Sequence, residues 1–541
     1  MRKLVAPLAL AVSSLAVVAV PDTAQAFCGF YVAPNDAPLY ADATMVALMR
    51  EGTRTVLSMS NNYKGPASDF AMVVPVPVVL QKTNVKTLPH EIFKKLEALS
   101  APRLVEYWEQ DPCAPMYDEE AKSAGAGGAP MAAPASEGAS PKDYKVKIEA
   151  QFTVGEYDIV VLSAEESDGL ERWLRDNKYN IPKGASAALA PYIKEQMKFF
   201  VAKVDVKKVQ MDKQGVAVLS PLRFHYESQD FRLPVRLGLL NAQGKQDLIV
   251  FVLGKDKRYE VANYPNAFIP TNLDVVDDTR NAFGPFYAAL FDATIGKAGG
   301  RAVVTEYAWE SSSCDPCPTP PLEDHDVATL GGDVVMGMGA PVPMPGGPGA
   351  SMPMGGPGGG YYGGAAGVVL TRMHTRYDSS TLTADLVFRT ADPVVGGREH
   401  VVDGNGGLEK GAQKDSYNNF QARYAIRHEW TGPVTCTKPR RGLWGGPPNG
   451  GSASPLPAVN LAAAPRGSLK LAAHVKRGLD DVDSWDRAAE QMASSQPAGA
   501  LGPRRACGCE VPGGRSTWGL AAVGTLVLAG LVAARRNGRK S

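Results

Sequence analysis

Three stretches of biased composition constrain the fold of this 541-residue chain more than any other feature. Residues 121–142 are mostly Ala, Gly, Ser and Pro, residues 331–366 are rich in Gly, Pro and Met, and residues 437–505 are rich in Pro, Gly, Ala and Ser. Such compositions bury too little apolar surface to offset the conformational entropy that is lost when a chain becomes ordered. We therefore expect two long disordered surface loops and a flexible stalk, with one short helix at 481–492 inside the stalk.

The segments between these stretches carry the patterns of strands and helices, and they divide the chain into ordered and disordered parts. In chain order we expect a signal peptide at 1–26, an amino-terminal α+β segment at 27–113, a low-complexity loop at 121–142, a central α+β domain at 144–318, a Gly/Pro/Met-rich loop at 331–366, a small β segment completing the core at 367–436, the stalk at 437–505 and a sorting signal at 506–541.

The segment 144–318 has the strongest secondary-structure signals. Asp168 and Glu171 form a capping-box pattern that predicts a helix ending near Asn177. Strands and helices follow each other in groups and do not alternate strictly, which favours α+β over a doubly wound sheet. The sequence therefore predicts an α+β fold of mixed, mostly antiparallel sheets with a few packed helices.

Two local patterns predict further elements. Residues 88–110 have apolar side chains at helical spacing, which predicts a helix that Pro102 breaks or kinks. Residues 235–240 and 247–253 have the pattern of two strands joined by a hairpin turn.

The amino terminus has the three zones of a secretory signal. Two basic residues precede an apolar run at 4–20, and small residues follow it up to Ala26. Cleavage between Ala26 and Phe27 is the expected processing step. A retained transmembrane helix is the alternative, although the run is shorter than the ~20 apolar residues that a span needs. Because Phe27 immediately precedes Cys28, lipidation at this cysteine is not expected.

The carboxyl terminus predicts a membrane span. Trp518 to Ala534 carries no charge, and four basic residues follow it. Basic residues stay on the cytoplasmic side of a span, so we expect everything upstream to be exported and to face outward.

Cys507 and Cys509 precede this span, and the whole arrangement resembles the carboxyl-terminal sorting tails of myxobacterial surface proteins, known as MYXO-CTERM. The resemblance implies that a membrane protease removes the span and that one of the two cysteines carries a lipid. A simple single-pass anchor remains the alternative. The expected partners are thus the membrane, the export machinery and a sorting protease.

The cysteines of the exported body predict disulfides, because export places them in an oxidising compartment. There are five of them: Cys28, Cys113, Cys314, Cys317 and Cys436. We expect at least two bonds, although the sequence does not select their pairing. A bond between Cys28 and Cys436 would close the largest loop and constrain the unfolded chain most.

Cys314 and Cys317 have the spacing of a redox dithiol, but no amphipathic helix follows them, as a thioredoxin-type site requires. A structural disulfide is therefore favoured, and redox chemistry remains an alternative. The methionines in the Gly/Pro-rich loop are a candidate for metal binding, since thioethers bind copper(I). The methionines are Met336, Met338, Met344, Met352 and Met354.

No motif for catalysis or for cofactor binding is present in the sequence. There is no Gly-x-Ser-x-Gly elbow, no His-Glu-x-x-His pair, no phosphate-binding loop and no dinucleotide fingerprint. The net charge of +1 gives no field to attract nucleic acid. We accordingly predict no catalytic residue, no metal ligand, no cofactor and no nucleic-acid partner.

Several short segments resemble the secreted bacterial proteins of the domain of unknown function 2330 family (DUF2330). The segments are Phe27-Cys28-Gly29-Phe30, Gly155-Glu156-Tyr157-Asp158-Ile159-Val160-Val161-Leu162-Ser163, Trp173-Leu174, Pro221-Leu222-Arg223-Phe224 and Val261-Ala262-Asn263-Tyr264-Pro265-Asn266. The resemblance covers residues 27 to about 436 and implies no activity, because none is assigned to the family. We expect an exported, membrane- or surface-anchored envelope protein that acts as a binding, scaffold or surface-display module. An envelope enzyme, or a protein that handles metal or redox equivalents, is the alternative.

Overall fold

All residues that the computed structural model describes fall within Met1–Gly502. The described residues are 30–32, 44–60, 71–114, 145–338, 365–398, 409–448 and 456–494, apart from 178, 180–183, 206, 212–216, 242–244, 458–459, 465 and 468. The predicted loop at 121–142 and the predicted sorting signal at 506–541 lie outside these residues, as does most of the predicted loop at 331–366.

The described part of the chain contains both helices and strands. Its α-helices are α1 (Glu91–Ser100), α2 (Ser167–Asp176), α3 (Ala185–Lys194), α4 (Phe283–Lys297), α5 (Asp324–Val327), α6 (Asp333–Val335) and α7 (Val482–Ser494). Its strands are β1 (Phe30–Val32), β2 (Thr44–Glu51), β3 (Arg54–Ser60), β4 (Ala71–Val76), β5 (Val85–Thr87), β6 (Arg103–Glu109), β7 (Val146–Val154), β8 (Tyr157–Ala164), β9 (Lys198–Val204), β10 (Gln210–Met211), β11 (Ala217–Val218), β12 (Leu222–Glu227), β13 (Arg232–Leu233), β14 (Gln246–Lys255), β15 (Arg258–Val261), β16 (Asn266–Phe268), β17 (Leu273–Val275), β18 (Val303–Glu310), β19 (Val368–Tyr377), β20 (Leu386–Ala391), β21 (Val394–Gly396), β22 (Gln413–Lys414), β23 (Asn419–Gln421), β24 (Arg423–His428), β25 (Trp444–Gly445), β26 (Leu456–Pro457) and β27 (Val475–Arg477).

An 11-stranded sheet forms the centre of the molecule. Its strands follow the order β22-β21-β23-β18-β19-β14-β2-β3-β12-β5, and β16 pairs with β18. Most neighbours are antiparallel, while β14 pairs with β2 in parallel. All residues of β19 are buried, and so are those of β14 except the last, which places both strands in the interior. The α+β prediction is confirmed.

Two smaller sheets flank the central one. A 5-stranded sheet, β1-β4-β9-β8-β7, packs against α2 and α3 through a cluster that includes Trp173, Leu189 and Phe199. A 6-stranded sheet has the order β25-β6-β24-β17-β27, and β26 also pairs with β6. Within it, β6, β24 and β17 are parallel neighbours. This second sheet forms the base of the candidate site described below.

Helix α4 is buried on nearly all sides, since most of its residues are apolar and its buried Asp292 is paired with Arg466. It packs against α7, where Gly296 faces the backbone of Ala488 and the side chain of Met492. A Cβ atom at position 296 would lie 3.0 Å from the Ala488 carbonyl oxygen, so glycine permits the close approach of the two helices.

Residues 437–505, which the sequence predicts to be a flexible stalk, differ from that expectation over much of their length. Strands β25, β26 and β27 pair with β6 and β17, and α7 buries Met492 against α4. The composition is poor in large apolar residues, but its few apolar side chains add to a core that other segments already form. The short helix predicted at 481–492 is present as α7.

Two other local predictions are wrong in part, for an identifiable reason. The helix predicted over 88–110 ends at Ser100, so the predicted break at Pro102 is confirmed, but the strand β6 follows it where the prediction has helix. The residues predicted as the first hairpin strand, 235–240, lie instead in a 3₁₀ turn at Arg236–Asn241. In both places tertiary pairing overrides a short local pattern, because β6 is completed by β24 and β14 by β2 and β19.

The start of the predicted loop at 331–366 is ordered. Asp333 forms ion pairs with Arg223 and Lys86, and the Arg223 guanidinium also donates to the carbonyl oxygens of Ala328 and Thr329. Met336 and Met338 pack against the core. Among the described residues, none of the helices is long and apolar enough to span a membrane.

Candidate functional site

A groove with a volume of about 780 Å³ lies along the 6-stranded sheet, where β6 and β24 end. Trp108 comes from β6, Arg427 and His428 from β24, and Trp430 from the loop that follows β24. The acidic residues Glu109, Asp277 and Glu429 and the basic residue Lys476 also line it. The groove thus combines flat aromatic rings with charges of both signs.

Strand pairing places the first aromatic pair. Because β6 and β24 run parallel, His428 lies directly opposite Trp108. Their rings stack with centroids 4.7 Å apart and planes 18° apart. The His428 Nε2 lies 3.0 Å from an oxygen of Glu106, which Arg280 also pairs with. Although burial opposes it, hydrogen bonding to His428 and Arg280 lowers the pKa of Glu106, so the carboxylate stays charged and fixes the His428 ring.

The loop that carries Trp430 is held by Glu109. This buried carboxylate accepts hydrogen bonds from the backbone N–H of Trp430 at 3.0 Å and from that of Gly442 at 2.9 Å. Arg441 adds an ion pair at 3.0 Å. The backbone hydrogen bond from Trp430, together with those from Gly442 and Arg441, lowers the pKa of Glu109 against the effect of burial. One carboxylate therefore fixes both ends of the 430–442 loop.

A disulfide closes the same loop. Cys113, which follows β6, is bonded to Cys436, with a Cα–Cα distance of 5.5 Å. The ring of Trp430 rests on Gly432, where a Cβ atom would lie 2.5 Å from the indole. The wall formed by Trp430 is thus ordered by a carboxylate, a covalent bond and a glycine before any ligand arrives.

Arg427 is positioned under the groove by three partners. Its guanidinium pairs with Asp274 at 2.8 Å and lies over the rings of Tyr107 and Trp444, at 5.6 and 4.8 Å from their centroids. Such contacts hold the planar guanidinium in one orientation. Its Nη2 atom makes no hydrogen bond to any of the described residues.

A second cluster of charged residues lies between the central sheet and α4. The ring of His374 lies between the carboxylates of Glu306, at 2.7 Å, and Asp247, at 3.1 Å, and it stacks on Phe291 at 3.9 Å. Further ion pairs extend from these groups: Arg372 with Glu306, Arg376 with Asp247, and Arg466 with both Asp247 and Asp292.

The charges of this cluster support one another. Burial would lower the pKa of His374, but the two carboxylates raise it, so that the ring stays protonated. Burial would conversely raise the pKa of Glu306, but His374 and Arg372 lower it to about 2. All seven residues are buried or nearly so, and the cluster connects α4 and Arg466 to the sheet. We assign this cluster a structural role, because none of its residues lines the groove.

The structure brings together some of the residues singled out in the sequence. It contains two disulfides, Cys113–Cys436 and Cys314–Cys317. The pairing of Cys436 with Cys28 considered above does not form, since Cys436 is bonded to Cys113. Among the described residues, no group of three or more His, Cys, Asp or Glu side chains is arranged to hold a metal ion.

Other predicted residues lie outside the described part of the chain. They are Ala26, Phe27, Cys28, Cys507, Cys509 and Trp518 to Ala534, together with Met344, Met352 and Met354.

Sequence reasoning missed the groove, because Trp108 and Trp430 come from distant parts of the chain. A signal was nevertheless present. Trp108 precedes Cys113 closely and Trp430 precedes Cys436 closely, so a bond between those two cysteines brings the tryptophans together.

Comparison with known proteins gave one match. Residues 22–389, about two thirds of the chain, match a family model described as an uncharacterized protein conserved in bacteria (DUF2330). The match includes Trp108 and Cys113 but ends before Trp430 and Cys436. No curated protein matched the chain, and no solved structure matched it.

Proposed function

The chain belongs to the bacterial DUF2330 family of uncharacterized proteins, and from this premise we propose that it is an exported, envelope-anchored binding module that takes a glycan chain in the groove between Trp108 and Trp430. The observation that carries the proposal is the groove itself, whose aromatic walls are ordered by Glu109 and by the Cys113–Cys436 bond.

Export is supported by features at both ends of the sequence. The three-zone amino terminus with its site at Ala26 directs the chain out of the cytoplasm, and Trp518 to Ala534 with its basic flank retains it at the membrane. The two disulfides fit an oxidising compartment outside the cytoplasm. If the tail is a sorting signal, a protease removes the span and a lipid on Cys507 or Cys509 takes over retention.

The chemistry of the groove favours a glycan over other ligands. A sugar ring presents an apolar C–H face that packs on a flat indole, while its hydroxyl groups need hydrogen-bonding partners around the rim. Trp108 and Trp430 supply such rings, and Glu429, Asp277 and Lys476 supply exposed polar groups. The mixed charge gives no preference for a polyanion or a polycation.

Calorimetric titration of the purified mature protein tests this function. The probes are soluble hexose oligomers and N-acetylhexosamine oligomers of four to six units, each titrated separately. We expect one of these classes to bind and Trp430→Ala to raise its Kd at least about tenfold, a loss of about 1.4 kcal/mol. Trp108→Ala should have a similar effect.

Trp485→Ala is the matched control, because it removes an indole that packs on Lys297 in a different part of the molecule. It should leave the Kd unchanged. Binding that survives both groove substitutions would place the ligand elsewhere. If neither class of oligosaccharide binds, the glycan proposal is wrong, and a scaffold or display role without a glycan ligand takes its place.

A further inference from the structure

The loop between β18 and α5 contains a disulfide whose two sulfur atoms differ in exposure. Cys314 is partly buried and packs against the core, whereas Cys317 is exposed. An incoming thiolate can therefore reach Cys317, and Cys314 is the sulfur that leaves. This difference in access is one requirement of a disulfide that exchanges with other thiols.

The loop is held from below by two side chains of neighbouring strands. The Nη1 of Arg103, the first residue of β6, donates to the carbonyl oxygen of Pro316 at 2.7 Å. The Nε2 of Gln421, the last residue of β23, donates to the carbonyl oxygen of Asp315 at 2.5 Å. Both acceptors lie between the two cysteines, so the guanidinium of Arg103 lies directly against the disulfide loop.

Arg103 carries a buried charge that forms no direct ion pair with any of the described residues. Its side chain is 0% exposed, and its second hydrogen bond goes to the carbonyl oxygen of Leu99 at 2.6 Å. Among the described residues, no carboxylate pairs with it within 4.0 Å and its Nε makes no hydrogen bond, while the carboxylate of Asp315 in the disulfide loop attracts it at longer range. An unpaired buried charge is costly, and proteins normally supply a counter-charge.

Other buried polar atoms near Arg103 also lack partners in the described part of the structure. The guanidinium lies 5.9 Å from the ring centroid of Tyr307, whose hydroxyl makes no hydrogen bond. Tyr307 is paired in register with Gln421, whose Oε1 makes none either. Both side chains are buried. The polar atoms around this loop are thus incompletely satisfied while the cysteines are oxidised.

We propose that Cys314–Cys317 is a thiol–disulfide exchange site whose reduced form is stabilised by Arg103. Reduction places a thiolate in the loop, and its negative charge adds to that of Asp315 in offsetting the buried charge of Arg103. Stabilising the reduced form makes a disulfide a stronger oxidant. The partner is a protein or small molecule with two neighbouring thiols, and the site is separate from the glycan groove.

The exchange balances as two substitutions. A thiolate of the partner attacks the Sγ of Cys317, the Cys314–Cys317 bond breaks, and Cys314 leaves as a thiolate beside Arg103. The second thiol of the partner loses its proton and attacks the partner sulfur of the mixed disulfide, so that Cys317 is released. The partner leaves with a disulfide, and the cysteine pair has gained two electrons and one proton, because Cys314 stays a thiolate and the second proton passes to solvent.

A purely stabilising role explains this bond poorly. It joins residues only 3 positions apart, whereas Cys113–Cys436 spans 323 positions. The constraint that a disulfide places on the unfolded chain grows with the length of the loop it closes. The Cys113–Cys436 bond therefore serves as the internal reference, because it is a structural disulfide in the same molecule.

The test is to equilibrate the mature protein in dithiothreitol redox buffers, alkylate the free thiols and measure each cysteine pair by mass spectrometry. Cys314–Cys317 should become reduced in buffers where Cys113–Cys436 stays oxidised. Arg103→Gln should shift the equilibrium toward the disulfide by about tenfold, about 30 mV for a two-electron couple. Arg103→Lys should keep most of the wild-type value, because the charge remains.

Arg258→Gln is the matched control, since it removes another buried guanidinium, one that pairs with Glu260 away from this loop. It should leave the equilibrium unchanged. Joint reduction of both disulfides would overturn the proposal, as would an Arg103→Gln variant that folds and keeps the wild-type equilibrium. If that variant does not fold, the proposal is tested on the reduced wild-type protein. The pH dependence of its alkylation rate gives the cysteine pKa. A cysteine pKa below the ordinary ~8.5 supports the site, and one at or above it refutes it.

Discussion

Gly432 determines where the indole of Trp430 lies. A Cβ atom at this position would be 2.5 Å from the ring, closer than side-chain carbons approach each other. The ring cannot stay in place beside a larger residue, because the backbone of its own loop is fixed by Glu109. One missing side chain thus shapes one wall of the groove.

We predict that Gly432→Ala displaces the Trp430 ring and weakens glycan binding several-fold without unfolding the protein. Calorimetric titration gives the loss of affinity, and thermal unfolding checks that the fold is intact. Thr437→Ala, a change at an exposed residue of the same loop that does not line the groove, is the control and should bind as the wild type does. An unchanged affinity in Gly432→Ala would mean that the position of Trp430 does not matter.

The buried pair of His374 and Glu306 lowers the free energy of unfolding on both the alkaline and the acidic side of a pH optimum. The pKa of His374 is raised in the folded state, so its contribution is complete below the unfolded pKa of ~6.5 and is lost as the pH rises through the folded pKa. The pKa of Glu306 is lowered to about 2, so its contribution is complete above ~4.5 and is lost as the pH falls toward 2.

We therefore predict that the free energy of unfolding is greatest between about pH 5 and 6.5 and falls on the alkaline side. Chemical denaturation at a series of pH values measures this curve. His374→Gln should be less stable than the wild type at pH 6 and should have lost most of the alkaline slope. A wild-type curve that stays flat from pH 6 to 9 would show that His374 is not protonated in the folded protein.

At the scale of the elements, the sequence predicts a segment best where the local pattern and the tertiary partners agree. Helix α2 lies close to its predicted place, although it begins at Ser167, one residue before the predicted cap Asp168, and its N-cap residue Glu166 makes no side-chain capping hydrogen bond. The residues of β6 continue a helical pattern, and only their pairing with β24 makes them a strand. The helix predicted at 481–492 is present as α7, but composition failed to predict that it packs on the core, because a short helix with few large side chains is stable only on a partner such as α4.

Deleting helix α7 is a test at this scale. Removal of a flexible stalk should leave the free energy of unfolding unchanged, whereas removal of a packed helix should lower it. A chain ending after residue 481 should unfold at least about 2 kcal/mol more easily than a chain ending after residue 494, because only the longer one buries Ala488, Ala489 and Met492. Denaturant unfolding of the two truncated proteins measures the difference. Equal stability of the two would support the stalk.

At the scale of the whole molecule, the groove depends on contacts between two segments that lie far apart in the sequence. The Cys113–Cys436 bond spans 323 positions, and it joins the segment that carries Trp108 to the segment that carries Trp430. Residue types alone do not predict such a site, because the spacing between its parts carries no local period. The sequence predicts the cysteines as disulfide partners, while the parallel pairing of β6 with β24 determines which aromatic rings meet.

The central claim is that a glycan binds between Trp108 and Trp430, and the indole N–H resonances of the tryptophans test it most directly. Titration of the ¹⁵N-labelled mature protein with the oligosaccharide that binds in calorimetry should shift the Trp108 and Trp430 signals, assigned by single substitutions. The signals of Trp173, Trp309 and Trp485, which lie outside the groove, should not move. Shifts confined to those three, or no shift at saturating oligosaccharide, would contradict the account.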